Sequence, residues 1–231
     1  PTAPTLCQGS IQTLTATGGI VSGVTILDEN FNNPTNSFTL VHNSVNGNPA
    51  LAYWMLHNSP YSLPIANTDD PLTISSNDAS QFYMTDSDIQ GSLGNTNEEL
   101  ISPAFSLVGY TDASLSFWHY YKAFSNGSAK VEISTAGGAV GTWVTLPGAT
   151  WTTVSQGTAT GFVNVVLNLS SYAFAGNTNS NVKIRFRYSH TYDYWWAIDN
   201  VKIVGDYQQI TWSPITELYT NVACTPAYAY T

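Results

Sequence analysis

The chain has 231 residues, of which only 9% are charged, and its 6 basic residues are outnumbered by 15 acidic ones, which gives a formal net charge of −9. So few basic residues cannot form a patch that follows a phosphate backbone, which excludes nucleic-acid binding, and they exclude attraction to anionic lipid for the same reason. A hydrophobic content of 43% is enough for a buried core and excludes a disordered acidic segment. No apolar run approaches the roughly 20 residues of a membrane span, and residues 1–16 lack the basic start and apolar centre of a signal peptide. Low charge with abundant Thr, Ser, Asn, Gly and aromatic residues is typical of an extracellular β protein.

The two ends of the chain differ in composition from its middle. The beginning is Thr-rich and the end is Tyr-rich, and neither is long enough to bury a core alone. We interpret residues 1–23 and 206–231 as two parts of one incomplete immunoglobulin-like β-sandwich, with a larger domain at 24–205 inserted between them. The alternative is that both ends are linkers packed on the main domain. Cys7 and Cys224 would form a disulfide if the ends meet in an oxidising compartment.

Alternation of apolar and polar residues predicts β-strands throughout the middle of the chain. The alternation is clearest in residues 182–188, where Val182, Ile184, Phe186 and Tyr188 share one face. Clusters of Gly, Asn, Ser and Asp separate the predicted strands and are typical of turns. The number and spacing of the strands predict an all-β jelly-roll sandwich. In chain order, the predicted strands are 26–31, 115–121, 129–135, 162–169, 182–188 and 197–204.

Two acidic residues lie on the apolar side of their predicted strands. In residues 26–31 alternation groups Glu29 with Leu and Phe neighbours, and in residues 197–203 it groups Asp199 with Ala, Val and Ile. A buried carboxylate without a partner costs several kcal/mol, so each acid needs an arginine, a lysine, backbone amides or a metal ion.

A calcium ion is the simplest partner for these two acids. The sequence has only two arginines, Arg185 and Arg187, whereas the loops at 76–78 and 86–88 are rich in oxygen donors of the kind that Ca²⁺ prefers. The alternative is that Asp199 caps a strand end or pairs with an arginine. A transition-metal site is not expected, because the histidines at 42, 57, 119 and 190 stand at no metal-ligand spacing.

Aromatic residues in loop-like segments are candidates for glycan binding, which jelly rolls often perform. The candidates are Tyr53, Trp54, Tyr192, Tyr194 and Trp195; the alternative for each is that it fills the core. Catalysis is not expected, because adjacent acids such as those at 98–99 and 69–70 would face opposite ways on a strand. The sequence also lacks the Gly-x-Ser-x-Gly and His-Glu-x-x-His motifs of common hydrolases.

An ordered set of motifs resembles the jelly-roll domains of secreted bacterial adhesins related to the MAM and cleaved-adhesin families. The set spans about residues 24–205, and Ala-Ile-Asp-Asn-Val at 197–201 is its most specific part. The other motifs are Leu-Asp-Glu-Asn-Phe at 27–31, Glu-Leu-Ile-Ser-Pro-Ala-Phe at 99–105, Leu-Ser-Phe-Trp-His-Tyr-Tyr at 115–121, Ala-Lys-Val-Glu-Ile-Ser-Thr at 129–135, Trp143 and Val-Lys-Ile-Arg-Phe-Arg-Tyr at 182–188. Residues 76–88 and 210–220 further resemble the repeated surface adhesins of gliding bacteria that the type IX system exports.

The resemblance implies a non-enzymatic adhesion or spacer module with a structural calcium ion that joins its first strand to its last. It places calcium ligands at Glu29 and Asp199, a possible extra ligand at Asp28, and a loop ligand at Asn77 or Asp78. The implied setting is extracellular, and the implied partners are neighbouring domains of the same long chain and surface glycans. MAM domains of animal receptors carry disulfides within the jelly roll, and this sequence has none there, which leaves calcium as the expected clamp.

Overall fold

The computed structural model describes residues 15–33, 35–64, 73–124 and 127–213. The predicted all-β architecture is confirmed, since thirteen strands and one short 3-10 helix make up the regular structure of these ranges. The strands are β1 (Thr15–Glu29), β2 (Thr39–His42), β3 (Met55–His57), β4 (Tyr61–Ser62), β5 (Thr73–Ile74), β6 (Phe82–Asp86), β7 (Thr96–Ile101), β8 (Tyr110–Tyr121), β9 (Ser128–Ser134), β10 (Val144–Trp151), β11 (Val163–Asn168), β12 (Lys183–His190) and β13 (Trp195–Ser213). The 3-10 helix spans Pro49–Leu51.

Two antiparallel sheets form the sandwich. The six-stranded sheet has the order β11-β8-β13-β6-β3, with β1 also paired to β13, and the five-stranded sheet has the order β10-β9-β12-β7-β2. Sequential neighbours are rarely adjacent in this order, so most connections cross from one sheet to the other, as in jelly rolls. The main core lies between the sheets, where side chains from both inner faces meet.

The strand β12 shows how the sequence pattern produces this packing. Val182 and the alternate β12 residues Ile184, Phe186 and Tyr188 are all 0% exposed, whereas Lys183, Arg185 and Arg187 face outward. Phe186 packs edge-on against Phe117 of β8, with ring centroids 5.0 Å apart, and thereby joins the two sheets. The alternation predicted for this segment is confirmed.

The strand β6 behaves differently, because all five of its residues are buried. A second apolar cluster covers the outer face of this part of the six-stranded sheet and contains Phe82, Met84 and Trp195. The small β4–β5 hairpin contributes Ile74 to the same cluster. A strand with apolar contacts on both faces needs no polar alternation, which is why the period-two pattern does not reveal β6.

The strands β1 and β13 form a long antiparallel ribbon that begins where Thr15 pairs with Ser213 and continues to the pair of Glu29 and Val201. The predicted domain boundaries at 23/24 and 205/206 therefore fall inside these two paired strands. Residues 1–14 and 214–231 lie outside the described ranges, and with them Cys7, Cys224 and the greater part of the predicted immunoglobulin-like unit. That division of the chain, like the disulfide, stays a prediction.

Candidate functional site

The candidate site lies where β13 exchanges one neighbouring strand for another. Along one edge of β13, residues 195–198 pair with β6, and residues from Val201 onward pair with β1. Asp199 and Asn200 occupy the step between them, and the pairing of β13 with β8 also shifts register there. Asn200 has φ of 50°, an uncommon left-handed conformation for a residue other than glycine, which marks the bulge in the strand.

Two loops meet at this step. The β1 loop (residues 30–33) follows β1, and the β6 loop (residues 76–81) precedes β6. The backbone N–H of Gln81 donates to Oδ1 of Asn32 at 3.1 Å and joins the loops to each other. The side-chain amide of Asn200 donates to Oδ2 of Asp78 at 2.9 Å and joins the β6 loop to β13. The first strand, the last strand and the β6 loop are thus brought to one place.

Asp199 is a buried carboxylate whose hydrogen bonding is incomplete. Its Oδ1 accepts the backbone N–H of Asn200 at 2.7 Å, while its Oδ2 is buried without a hydrogen-bond partner, and the residue is 0% exposed. Burial raises the pKa of the Asp199 carboxyl from 3.8 to about 7, and the nearby charge of Asp78 raises it further, whereas the Asn200 amide and the Ser76 and Ser80 hydroxyls oppose the rise. In this environment the hydrogen bonds do not fully compensate the ionised form for its burial.

Glu29 is the last residue of β1. It pairs with Val201, two residues after Asp199, and is half-buried. Its Oε1 accepts the backbone N–H of Phe31 at 2.8 Å, which stabilises the turn after β1, where Phe31 has φ of 55°. Phe31 is fully buried and packs edge-on against Tyr83 of β6 at 5.0 Å between ring centroids. A buried aromatic ring therefore fixes the position of the Glu29 turn against β6.

Asp78 is the acidic residue that the β6 loop brings to the site. Besides the bond from Asn200, its Oδ1 accepts the backbone N–H of Ser80 at 3.0 Å. Burial acts to raise the pKa of Asp78, but hydrogen bonds from Asn200, Ser80 and Ser76 hold it below its usual value. Asp78 is thus a carboxylate held in its charged form close to Asp199.

The two other predicted ligands are Asp28 and Asn77. Asp28 points to the opposite face of β1 from Glu29 and forms an ion pair with Lys202 at 2.7 Å, with both side chains largely exposed. Asn77 is exposed on the β6 loop. Of the predicted ligands, the structure connects Asp78 to the strand segment that carries Asp199, whereas ligand roles for Glu29, Asp28 and Asn77 stay predictions.

The arginine alternative for Asp199 is not realised. Arg185 lies on β12 in the other sheet, where it binds Glu132 at 2.6 Å and Glu99 at 3.1 Å. Arg187 lies on the same strand, and its Nε donates to Asn97. The Asp199 carboxylate therefore has no arginine partner among the described residues.

The donor set fits a hard cation better than a transition metal. Within the described ranges no three His, Cys, Asp or Glu side chains come together in a metal-binding group, so carboxylates alone do not form a complete site for either kind of metal. A cation here would draw its ligands from a few carboxylates together with neutral oxygens of the two loops. Such oxygen-only, mixed-charge coordination is typical of Ca²⁺.

The predicted ligand-binding aromatic residues divide into buried and exposed groups. Trp54 and Trp195 are each 1% exposed and belong to the two apolar clusters, so their rings offer no surface to a ligand, and the core-filling alternative applies to them. Tyr53 is half-buried and stacks on His42, with ring centroids 3.8 Å apart and an interplanar angle of 16°. Tyr192 is 38% exposed, and Tyr194 is half-buried beside it.

Phe124, which the sequence analysis did not single out, joins the exposed group. It is 64% exposed and contacts Tyr192 at 6.0 Å and Tyr194 at 5.5 Å between ring centroids. Asn200 was also missed, although it follows Asp199 directly in the closing-strand motif. The position of Phe124 just after the aromatic β8 run was a signal, but its distance in sequence from residue 192 concealed the contact.

The sandwich resembles solved adhesin domains. It superposes on the K1 cleaved adhesin domain of Lys-gingipain from Porphyromonas gingivalis W83 with a TM-score of 0.52 and 18% identity, over 78% of this chain and 98% of that chain. The K2 cleaved adhesin domain of Lys-gingipain matches with a TM-score of 0.51 and 14% identity, over 77% of this chain and 96% of that chain. The fold is cleaved-adhesin-like.

At these identities the likeness describes the fold of the sandwich. No protein-family model matches the sequence, and no curated protein sequence matches it. In the described part of the chain, no helix of this cleaved-adhesin-like sandwich is long and apolar enough to cross a membrane.

Proposed function

We propose that this chain is a non-catalytic adhesion or spacer module of a large extracellular surface adhesin, stabilised by a structural calcium ion. The observation that carries the proposal is the buried, unpartnered Oδ2 of Asp199, at the step where β13 passes from β6 to β1. A protein that retains such a carboxylate at a strand junction pays for it in stability unless a cation neutralises it.

Asp199, Glu29 and Asp78 are the proposed carboxylate ligands; because no three such side chains form a metal-binding group in the described ranges, calcium would have to draw Glu29 toward the other two. When bound, calcium supplies positive charge to these groups and is coordinated by oxygen atoms from three separate parts of the chain. Asp199 belongs to the last strand, Glu29 to the first strand, and Asp78 to the loop before β6. Holding all three would prevent the β1 loop from separating from the sandwich.

The adjacent acids Glu98 and Glu99 are both held in other contacts, which favours a non-catalytic role. Glu98 is fully buried, with its Oε2 at 2.6 Å from Nδ1 of His42 and its Oε1 accepting the Ser44 hydroxyl at 2.6 Å. Glu99 faces the other side of β7 and binds Arg185. The two carboxylates therefore cannot act on one bond as general acid and base.

The extracellular setting is supported by composition and by the fold. A charged fraction of 9% with abundant small polar residues suits a domain of a secreted protein, and the two solved relatives named above are described as cleaved adhesin domains. The motif resemblance extends the proposal to adhesins of gliding bacteria exported by the type IX system. There, this module would be one of several along a chain.

A calcium titration followed by thermal unfolding tests the clamp. At pH 8 we expect the unfolding midpoint to rise with calcium in the range of about 0.1–10 mM, as for extracellular calcium modules, and to fall again with chelator. Magnesium at the same concentration is the control, because it demands a smaller octahedral site. An unchanged midpoint over this calcium range would contradict the proposal.

Carbohydrate binding is the second candidate function. The observation that favours it is the exposure of Phe124 at 64% and Tyr192 at 38% on a surface where their rings contact each other. Clustered aromatic rings on one surface offer flat apolar faces on which a ligand ring can stack.

A further inference from the structure

We propose that Phe124, Tyr192 and Tyr194 form an aromatic corner that binds one or two sugar rings of a neutral glycan. This inference rests on the second candidate function and assigns its site. The corner is built from the segment after β8 and the segment between β12 and β13. It lies beside the start of β13, whereas the candidate calcium site lies at Asp199, farther along the same strand.

The rings meet nearly at right angles. The interplanar angle is 82° between Phe124 and Tyr192 and 74° between Phe124 and Tyr194. Lys122 places its Nζ 5.1 Å from the Tyr194 ring centroid, so a cation–π contact supports Tyr194. A pyranose ring has an apolar C–H face and a polar rim, and a perpendicular pair of rings offers one face for stacking and one wall beside the sugar.

A buried carboxylate holds the two segments in register. Oδ1 of Asp193 accepts the backbone N–H of Phe124 at 2.6 Å and that of Tyr194 at 2.7 Å. Its Oδ2 lies 2.6 Å from Nδ1 of His190, and both side chains are 0% exposed. Phe124 and Tyr194 are therefore anchored to one atom, and the corner is fixed before any ligand arrives, which lowers the entropy cost of binding.

The backbone of Tyr192 supports a binding role. Its φ of 54° lies in the left-handed region that non-glycine residues rarely adopt. This conformation turns the ring toward Phe124 and leaves it 38% exposed, although burial would be the favourable outcome for an apolar ring. Residues held in sparsely populated backbone conformations cluster at active sites and ligand sites.

The size of the corner favours a sugar over a protein partner. An aromatic side chain presents about 200 Å² when fully exposed, so exposed fractions of 64% for Phe124 and 38% for Tyr192 leave on the order of 200 Å² of ring surface. A specific protein interface needs about 800 Å² from each partner. One or two sugar residues match the smaller area.

The charge of the chain favours a neutral glycan over an acidic one. The formal net charge is −9, and the basic group at the corner, Lys122, already contacts the Tyr194 and Trp195 rings. A sulfated or uronic-acid polymer would be repelled by the overall field, and it would find no arginine cluster there, since both arginines lie on β12. Stacking on uncharged rings is insensitive to the protein's charge.

An array of neutral and acidic oligosaccharides, probed with the whole chain in calcium buffer, is the first experiment. Titration calorimetry with the strongest neutral ligand then compares the wild type with Phe124→Ala and Tyr192→Ala. We expect each substitution to weaken binding about tenfold or more, as truncation of a central aromatic contact does. Phe174→Ala is the matched control, because Phe174 is also exposed, at 49%, but has no place in the corner, and we expect it to leave affinity unchanged.

Each outcome decides the assignment. Loss of binding in the two corner variants, with unfolding midpoints close to the wild type, supports the corner. An array without neutral-glycan binding, binding to acidic glycans alone, or affinity that survives both substitutions would overturn it. Repeating the calorimetric titration in chelator, at a temperature where the chain stays folded, separates the aromatic corner from the calcium proposal. Glycan binding that persists in chelator would support the corner even if calcium does not raise the unfolding midpoint.

Discussion

Asp199→Asn is expected to stabilise the metal-free protein and to abolish its response to calcium. The folded-state pKa of Asp199 lies near 7 instead of 3.8, because the carboxyl is buried and stands near Asp78. A shift of about three units corresponds to an upper bound on the order of 4 kcal/mol for holding the carboxylate ionised at pH 8. The amide removes that penalty, so we expect the variant in chelator at pH 8 to gain about 2–4 kcal/mol, or roughly 5–15 °C in the unfolding midpoint.

Calcium is expected to offset most or all of this difference between the two proteins. At a free calcium concentration about 100 times Kd, the wild type would gain about 2.7 kcal/mol, whereas the variant would gain nothing. Asp28→Asn is the matched control, since Asp28 is an exposed acid next to Glu29, and its ion pair with Lys202 contributes little. The reasoning is refuted if Asp199→Asn lowers the metal-free midpoint at pH 8, or if the variant keeps the calcium response.

Three further substitutions test the buried polar groups. Burial raises the pKa of Asp86 from 3.8 to about 7, so between these pH values the native state binds more protons than the unfolded state. The stability of the wild type therefore falls as pH rises through that window. Asp86→Asn should remove this pH dependence, and in urea unfolding its gain in stability over the wild type should be larger at pH 7.5 than at pH 4.5. A Cβ on Gly127 would lie 1.9 Å from Nδ1 of His190, so Gly127→Ala should lower the free energy of unfolding by about 1–3 kcal/mol. Gly19→Ala is the control, because nothing lies within 4 Å of a Cβ there, and it should cost less than half of that amount. Equal effects of the two substitutions would contradict the packing argument. Burial lowers the pKa of His119 to about 4, so the wild type loses stability as pH falls from 6.5 toward 4. His119→Phe should lose about 1–3 kcal/mol of stability at pH 7.5, because the indole N–H of Trp196 loses its acceptor, and this loss should be smaller at pH 5. A loss of the same size at both pH values would show that the imidazole is not buried as a neutral base.

The parts of the fold that could be predicted from the sequence are the strands with one buried face and one solvent-exposed face. In β12, and in β8 from Ala113 to Phe117, apolar residues alternate with polar ones, and the burial follows the alternation closely. The strand β6 and the hairpin of β4 and β5 escaped prediction for two different reasons. The first is buried on both faces and the second has two residues in each strand, so neither carries a period-two signal.

The candidate site could likewise be predicted only in part from the sequence. Alternation correctly indicated that Asp199 is buried, because that follows from the residues on either side of it. It could not indicate the contact of Asn200 with Asp78, which are 122 residues apart. It also could not distinguish Trp195, which packs inside a cluster, from Tyr192, which lies three positions earlier and is exposed. Both distinctions depend on which segments the sheet order brings together.

The antiparallel ribbon of β1 and β13 determines how this module would respond to tension. Thr15 and Ser213 are direct partners, so a force that draws the chain apart at these two positions loads the ribbon one hydrogen-bonded pair at a time, as a zipper opens, and shears no strand along its length. Opening of this kind would travel inward toward the pair of Glu29 and Val201, where the paired ribbon ends. The proposed calcium ligands lie at that position. If the ion is bound there, it would act as a mechanical stop that limits how far β1 separates from β13.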